Sequence, residues 1–552
     1  MTDTVVYTAR RVITMNPSAP FAEAIAVRGG KILAAGSFDD VSSWGEHRVD
    51  RRFADHVLTP GFVEAHTHVL AGGLWEFPYV GYFDRRGPDG QDWPGCRNID
   101  AVVGRLVEAN ELLAPGEQLV AWGLDPIYFA GERLGAIDLD RVSATRPIFV
   151  FHASGHLATV NTAMLEACEI TKDTTTPGVA RDSLGEPNGE LQEPPAMLLA
   201  RSAYSAIGRA TRSDEAKWNY GFEARNSGHT TVTDLGTTQL SRPDQVAAWR
   251  SVVEDPNYPS RVMIAVSPAG GVASSEELAE LCAGLRKEST AKLKFGIVKL
   301  VLDGSIQGFT ARVSWPYYYR PPAGHPGNGL WLIPPEQVSE ILSAYHEAGL
   351  TVHCHCNGDQ AAEVFINAVE EALERHPRLD HRHTVQHSQL TTEAQYRRMG
   401  ALGMCANIFS NHTFYWGDQH RDITVGPGRA AEMNACATAI REGVSFSIHS
   451  DAPITPMGHL GTAWSAVNRL TASGQVLGPH ERISVMEALS AITLGAAFQL
   501  KLDAEIGSIA TGKNADFAVL EEDPLEVDPL RLRDIAVWGT VLGGVPFEAG
   551  VQ

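Results

Sequence analysis

Cysteine is scarce in this 552-residue chain: seven residues, an odd number, at Cys96, Cys168, Cys282, Cys354, Cys356, Cys405 and Cys436. That scatter excludes a disulfide framework and, with no CxxC pair, a zinc knuckle; it fits reduced thiols in a cytoplasm. Basic residues are also in deficit, 45 against 66 acidic ones, for a formal net charge of -21. Such a surface excludes nucleic acid and anionic membranes as partners, and its acidity serves mainly solubility. No apolar run is long enough to span a bilayer. The opening MTDTVVYTARRVITMN lacks a basic stretch followed by an apolar core, so no secretory leader is read there. The expectation is a cytoplasmic protein that acts on a small molecule.

An apolar share of 44% supports a sizeable core, and the length suits one large barrel plus a smaller domain. Residues 1–57 read as short strands with glycine turns, among them the hairpin signal Gly29-Gly30 in EAIAVRGGKILAAGS. The other end, IGSIATGKNADFAVLEED and DIAVWGTVLGGVPF, has the same character. Together, 1–57 and 500–552 are expected to form one small composite β-sandwich domain. The middle, 58–499, alternates strand and helix. VLTPGFVEAHTH, TTVTDL, RVMIAVS, GIVKLVLD, LTVHCH, HTVQHS, MCANIF and VSFSIHSD are strand candidates, most of them preceded by an amphipathic helix ending in glycine. Parallel strands with crossover helices in eight units predict an α/β fold, a closed (β/α)₈ TIM-like barrel. Residues 69–220 are too long for one unit and are read as an insertion after the first strand.

His66 and His68 stand two apart at the end of the first barrel strand, so both imidazoles face one side. Two more HxH pairs exist, His353/His355 and His381/His383, and position separates them: barrel enzymes place their chemistry at the C-terminal ends of strands. His355 ends LTVHCH, His387 ends HTVQH and Asp451 ends VSFSIHSD. These five side chains converge on one ion only if the barrel closes. Lys299 lies inside the apolar run GIVKLVL, where a bare ammonium is costly. Either it reaches water or an acid, or its amine adds CO₂ to become a carbamate able to bridge two metals.

The order HxH, Lys, His, His, Asp along eight βα units, with the phrases LTPGFVEAHTH, VKLVLDGS, HCHCNGDQA, VQHSQ and SDAPI, resembles the amidohydrolase superfamily. The likeness is to its amidohydrolase 3, YtcJ-like branch, and covers nearly the whole chain, including SGHLATVN in the insertion. It implies that His66, His68, His355, His387 and Asp451 hold metal, that Lys299 is the carboxylated bridge of two-metal members, and that the protein forms a homodimer. Imidazole and carboxylate ligands suit zinc, one or two ions per subunit, which lowers the pKa of bound water towards about 7 and polarises a carbonyl. Asp451 is then the proton shuttle, with a plain ligand or helix-cap role as its alternative. His156, Asp303 and Arg312 are candidates for substrate contact; a structural histidine and a supporting ion pair are the alternatives. The aromatic groups at 75–83, 315–319 and 414–416 line a pocket or anchor loops. The expected reaction is hydrolysis of a non-peptide C–N bond in a small amide, such as an N-substituted formamide. A ring deaminase or cyclic-amide hydrolase, a decarboxylase and a non-catalytic scaffold are the other readings.

Overall fold

The computed structural model describes residues 4–129, 133–237, 240, 243–268, 274–318 and 327–550. Tyr319, the last member of the aromatic group at 315–319, lies outside them, as do the extreme termini of the composite domain, 1–3 and 551–552. Among the described residues no helix is long and apolar enough to cross a membrane.

Eight parallel strands bond side by side in chain order. They are β1 (Phe62–Thr67), β2 (His229–Thr237), β3 (Arg261–Val266), β4 (Leu293–Val301), β5 (Thr351–Cys356), β6 (Thr384–His387), β7 (Cys405–Ile408) and β8 (Ser445–Ile448). All eight coincide with strand candidates read from the sequence, and the (β/α)₈ class holds. The crossover helices form where apolar spacing and caps agree. Glu393–Leu402, for example, starts at a Thr392/Gln395 capping box and stops at Gly403, whose φ of 70° favours a residue without a side chain.

The barrel shuts between its first and last strands just beyond their ends. Asp451 N donates to His66 O (3.1 Å) and His68 N to Ala452 O (3.0 Å). Below them, Ser450 donates from N (3.1 Å) and Oγ (2.6 Å) to Glu64 Oε2. The seam therefore runs through the residues that carry the candidate chemistry, bringing positions nearly 400 apart in sequence into contact.

VLTPGFVEAHTH, read as one strand, is two. Val57–Pro60 pairs antiparallel with Phe517–Leu520 in another sheet, and β1 begins at Phe62. Gly61 makes the crossing, with its N donating to Asp516 O (2.9 Å). A Cβ at Gly61 would run into the Thr230 side chain, so the step needs glycine. The other sheet follows one hydrogen-bonded path through Val545–Glu548, Val537–Leu542, Phe517–Leu520, Val57–Pro60, Val5–Ile13, Phe21–Arg28 and Lys31–Gly36, with Arg48–Asp50 beside Val5–Ile13. Tyr7, Phe53, Leu58 and Phe517 fill its core. It is tied to the barrel by the buried pair Arg261 Nη1 to Asp516 Oδ2 (2.8 Å).

Residues 69–220 cluster as a compact unit of their own, apart from 1–68 with 221–552. Its sheet has the order Val179–Arg181, Pro187–Gln192, Leu157–Val160, Ile148–His152, Leu119–Leu124. Trp75, Phe77, Tyr79 and Trp122 belong to one apolar cluster, so the aromatic group at 75–83 contributes to the packing of this unit.

Candidate metal centre

Because β1 and β8 meet at the seam, three side chains converge there. His66 Nε2 lies 3.3 Å and His68 Nε2 3.2 Å from Asp451 Oδ1. That oxygen is buried and accepts no hydrogen bond among the described residues. Across the barrel mouth, His355 from β5 and His387 from β6 meet edge to face, with His387 Nε2 2.9 Å from His355 Nδ1. His387 Nδ1 is 3.8 Å from Asp451 Oδ2. Lys299, from β4, brings its Nζ to 3.4 Å from His66 Nε2. All six residues expected to form the centre thus lie in one cluster at the C-terminal ends of five strands.

Two of them hold strained backbone. His387 has φ of 68° and Asp451 of 54°, a region that side chains with a Cβ rarely adopt. Such outliers persist when surrounding structure forces them, and they gather at functional sites. At His387 the left-handed turn breaks the two-residue alternation of β6, so Gln386 and His387, adjacent in sequence, both reach the interior.

Burial first, then the charge of neighbours such as Lys299, pushes His66, His387 and His449 well below the usual imidazole range. All three are neutral rings with a lone pair to offer. Burial lowers Lys299 to about 8, against the opposing pull of Asp451. A cation fits these residues: neutral imidazole nitrogens and a carboxylate oxygen with no other bond point at a common space.

The other candidates have different surroundings. Asp303 is fully buried, and both its oxygens face the chain. Oδ1 accepts from Asn357 N (3.0 Å); Oδ2 accepts from Gly358 N (2.8 Å) and Arg312 N (2.9 Å). Burial pushes it up to about 7, while those three bonds work the other way. It clamps the turn that follows His355. A Cβ at Gly358 would strike the Arg312 carbonyl, so the clamp also needs that glycine. The Arg312 guanidinium turns to Gln360 Oε1 (2.8 Å) and lies over Trp331. His156 belongs to the 69–220 unit, where its Nδ1 is 3.0 Å from Glu193 Oε2. Among the later aromatics, Trp315 and Tyr318 are exposed and Trp416 is buried against His412.

Sequence reading missed His449. It stacks on His66 with ring centroids 4.7 Å apart, and its Nε2 is 3.2 Å from His387 Nδ1. The signal was present: His449 precedes Asp451 by two, the same spacing that linked His66 to His68. Gln386 and Asn407 were missed too, and their uncharged amides gave no such cue. A second buried group, Glu64, His229 and His459, lies below the seam, with His459 Nδ1 3.6 Å from Glu64 Oε2 and the two rings 4.4 Å apart. Burial pushes Glu64 up to about 8. It accepts from Ser450, just past β8, and from His66 N (3.2 Å) within β1, while His459 Nε2, on the helix that follows, donates to Val63 O (2.8 Å) of β1.

Comparison with known proteins agrees with this architecture. The model of the amidohydrolase family matches residues 54–547. YtcJ of Bacillus subtilis is 26% identical, with 97% of each chain covered. Protein LONG AFTER FAR-RED 3 of Arabidopsis thaliana is 28% identical over 92% of this chain and 85% of its own. N-substituted formamide deformylase of Arthrobacter pascens is 23% identical over 95% and 94%. Among solved structures, an uncharacterized metal-dependent hydrolase from Pyrococcus horikoshii shares the fold, with a TM-score of 0.70 at 19% identity over 96% of this chain and 99% of that one. With the family model spanning the whole barrel and the sheet strands from Val57 onward, the chain belongs to the amidohydrolase family.

Proposed function

We propose that this protein hydrolyses a non-peptide C–N bond in a small amide, with an N-substituted formamide as the favoured substrate class. The observation that carries the reading is the convergence of His66, His68, His355, His387 and Asp451 on one space, with Asp451 Oδ1 buried and unbonded there. His66, His68 and Asp451 would hold a cation on one side and His355 with His387 on the other, Lys299 standing between them. Zinc suits these donors. When bound, the metal activates water for attack and polarises the substrate carbonyl.

The protein's own groups supply the rest. Asp451 faces the same space with a second oxygen, Oδ2, which takes the proton of the attacking water and passes it to the departing nitrogen. Lys299, lowered to about 8 by burial, keeps a share of neutral amine to which CO₂ adds, the lost proton going to solvent. The resulting carbamate removes a buried cation and adds an oxygen donor beside His66. The similarity to N-substituted formamide deformylase supports the same substrate class.

The test is metal analysis of purified protein followed by a substrate panel in which formate plus free amine, ammonia and CO₂ are measured separately. Stoichiometric zinc and release of an amine with its carboxylic acid are expected. Ammonia as sole product points to ring deamination, CO₂ to decarboxylation. Absence of bound transition metal overturns the reading.

A further inference from the structure

The hydrogen bonds beneath the metal centre fix where each ligand proton sits. Two backbone carbonyls, which can only accept, anchor the assignment. His353 Nε2 faces Gln499 O (3.4 Å), so that nitrogen carries hydrogen and His353 Nδ1 is an acceptor. Gln386 therefore presents Nε2 to His353 Nδ1 (2.8 Å) and Oε1 to the other side. Into Oε1 go the Nδ1–H of His66 (2.7 Å) and the Nδ2–H of Asn407 (2.9 Å). With its amide nitrogen so used, Asn407 offers Oδ1 to His449 Nδ1 (3.0 Å), and Ser447 Oγ donates to the same oxygen (2.7 Å). His449 Nδ1 must then hold hydrogen, and His449 Nε2 is a lone pair facing His387 Nδ1 (3.2 Å). That makes His387 Nδ1 the donor and leaves its Nε2 bare. On the far side, His355 Nε2 lies 3.1 Å from Gly304 O and 3.0 Å from Asn357 Nδ2, whose hydrogen goes to the same carbonyl (2.7 Å); with the His355 hydrogen on Nε2, its Nδ1 is bare. Along the path from His353 through Gln386, Asn407 and His449 to His387, every proton is determined. The nitrogens left without one, His66 Nε2, His387 Nε2 and His355 Nδ1, are those at the candidate cation site.

We propose that His449, held by Asn407, is the positioning residue that fixes the tautomer and ring orientation of His387, and that the Gln386–Asn407 pair sets the protons of His66 and His387 together. The proposal rests on the metal-centre reading above. His449 acts through His387: its own Nε2 accepts that ring's proton. Outer partners of ligating histidines do this work in metal proteins generally, and their loss typically weakens binding about 10- to 100-fold. One amide pair thus joins the two halves of the site, which come from strands on opposite sides of the barrel.

The experiment compares His449→Gln with His449→Met, side chains of similar size of which only glutamine offers a strong acceptor to His387 Nδ1. Metal-stripped protein is titrated with Zn²⁺ in competition with a chromophoric chelator, and folding is verified by circular dichroism. H449M is expected to bind zinc at the His387 side about 10- to 100-fold more weakly than wild type, and H449Q to stay within about threefold of it. H355A, which removes a proposed ligand, is the control. Undiminished affinity in H449M while H355A is weakened overturns the role of His449 and leaves the metal centre standing. Equal weakening in H449Q and H449M also overturns it, since an acceptor would then rescue nothing. Wild-type protein that takes up no zinc overturns the metal reading, and this proposal with it.

Discussion

Replacing Asp303 by asparagine tests whether the turn after His355 is held by one buried carboxylate. The structure gives that carboxylate three backbone donors: Asn357 N on Oδ1, and Gly358 N and Arg312 N on Oδ2. Asparagine keeps one acceptor oxygen. In its better orientation Oδ1 becomes the amide nitrogen, so two bonds survive and Asn357 N faces another donor. A buried donor left unmet costs about 1–3 kcal/mol, and the two surviving bonds each weaken by about 1 kcal/mol on losing the charge. Relief from burying a carboxylate that burial already pushes up to about 7 offsets part of this. The expected net loss is about 2–4 kcal/mol, confined to the turn. Backbone hydrogen exchange reads it directly: at about 1.4 kcal/mol per tenfold, the Asn357 and Gly358 amides of D303N should lose protection roughly 30- to 700-fold. Amides of β3, remote from the turn, serve as the reference. Wild-type protection at Asn357 and Gly358 in D303N would refute the clamp.

Three other outcomes are expected. Asp451→Asn keeps an oxygen donor but loses the proton acceptor, so its metal content stays normal while kcat drops by about 10²–10⁴; wild-type turnover in D451N would remove the shuttle. Asp516→Asn leaves the Arg261 guanidinium, about 5% exposed, without its charge partner. That change is expected to cost about 3–5 kcal/mol, seen as a lowered thermal midpoint, and an unchanged midpoint would contradict it. In the 69–220 unit, burial would raise Glu190, but hydrogen bonds and charge from Arg133 outweigh it and hold the carboxyl below its usual 4.5. A depressed carboxylate stabilises the fold above its unfolded pKa, and that stability is lost as pH falls through the folded value. Glu190→Gln is therefore expected to melt below wild type at pH 7, with the gap closing as pH drops under about 4.5. A gap independent of pH would show that charge has no part in it.

The barrel was legible because its strands are buried apolar runs ending in chemistry, and because parallel strands leave one plausible arrangement. His66, His68, His355, His387 and Asp451 could be picked out since each ends a strand. What sequence could not show was the left-handed backbone at His387. Strict alternation puts Gln386 and His387 on opposite faces, so the amide beneath His66 went unseen. His449 is hidden for a different reason: the acid two residues later carries the strand-end signal. Following the Lys299 strand, Asp303 is open in sequence to either substrate contact or a supporting ion pair. Its partners are amide groups of Asn357, Gly358 and Arg312, and backbone donors leave no trace in side-chain identity. The break at Gly61 was hidden likewise, since an apolar run gives no hint that it serves two sheets.

That crossing has a bearing on how the chain can be cut. His66 and His68 stand at a height set from outside the barrel: Gly61 is tethered to Asp516, and Asp516 to Arg261 of β3. Trimming either end to obtain a minimal barrel would let the first stave slide, and a shift of one residue would turn both imidazoles outward. The first and last fifty-odd residues are thus part of the machinery that aims the chemistry, although none of them touches it.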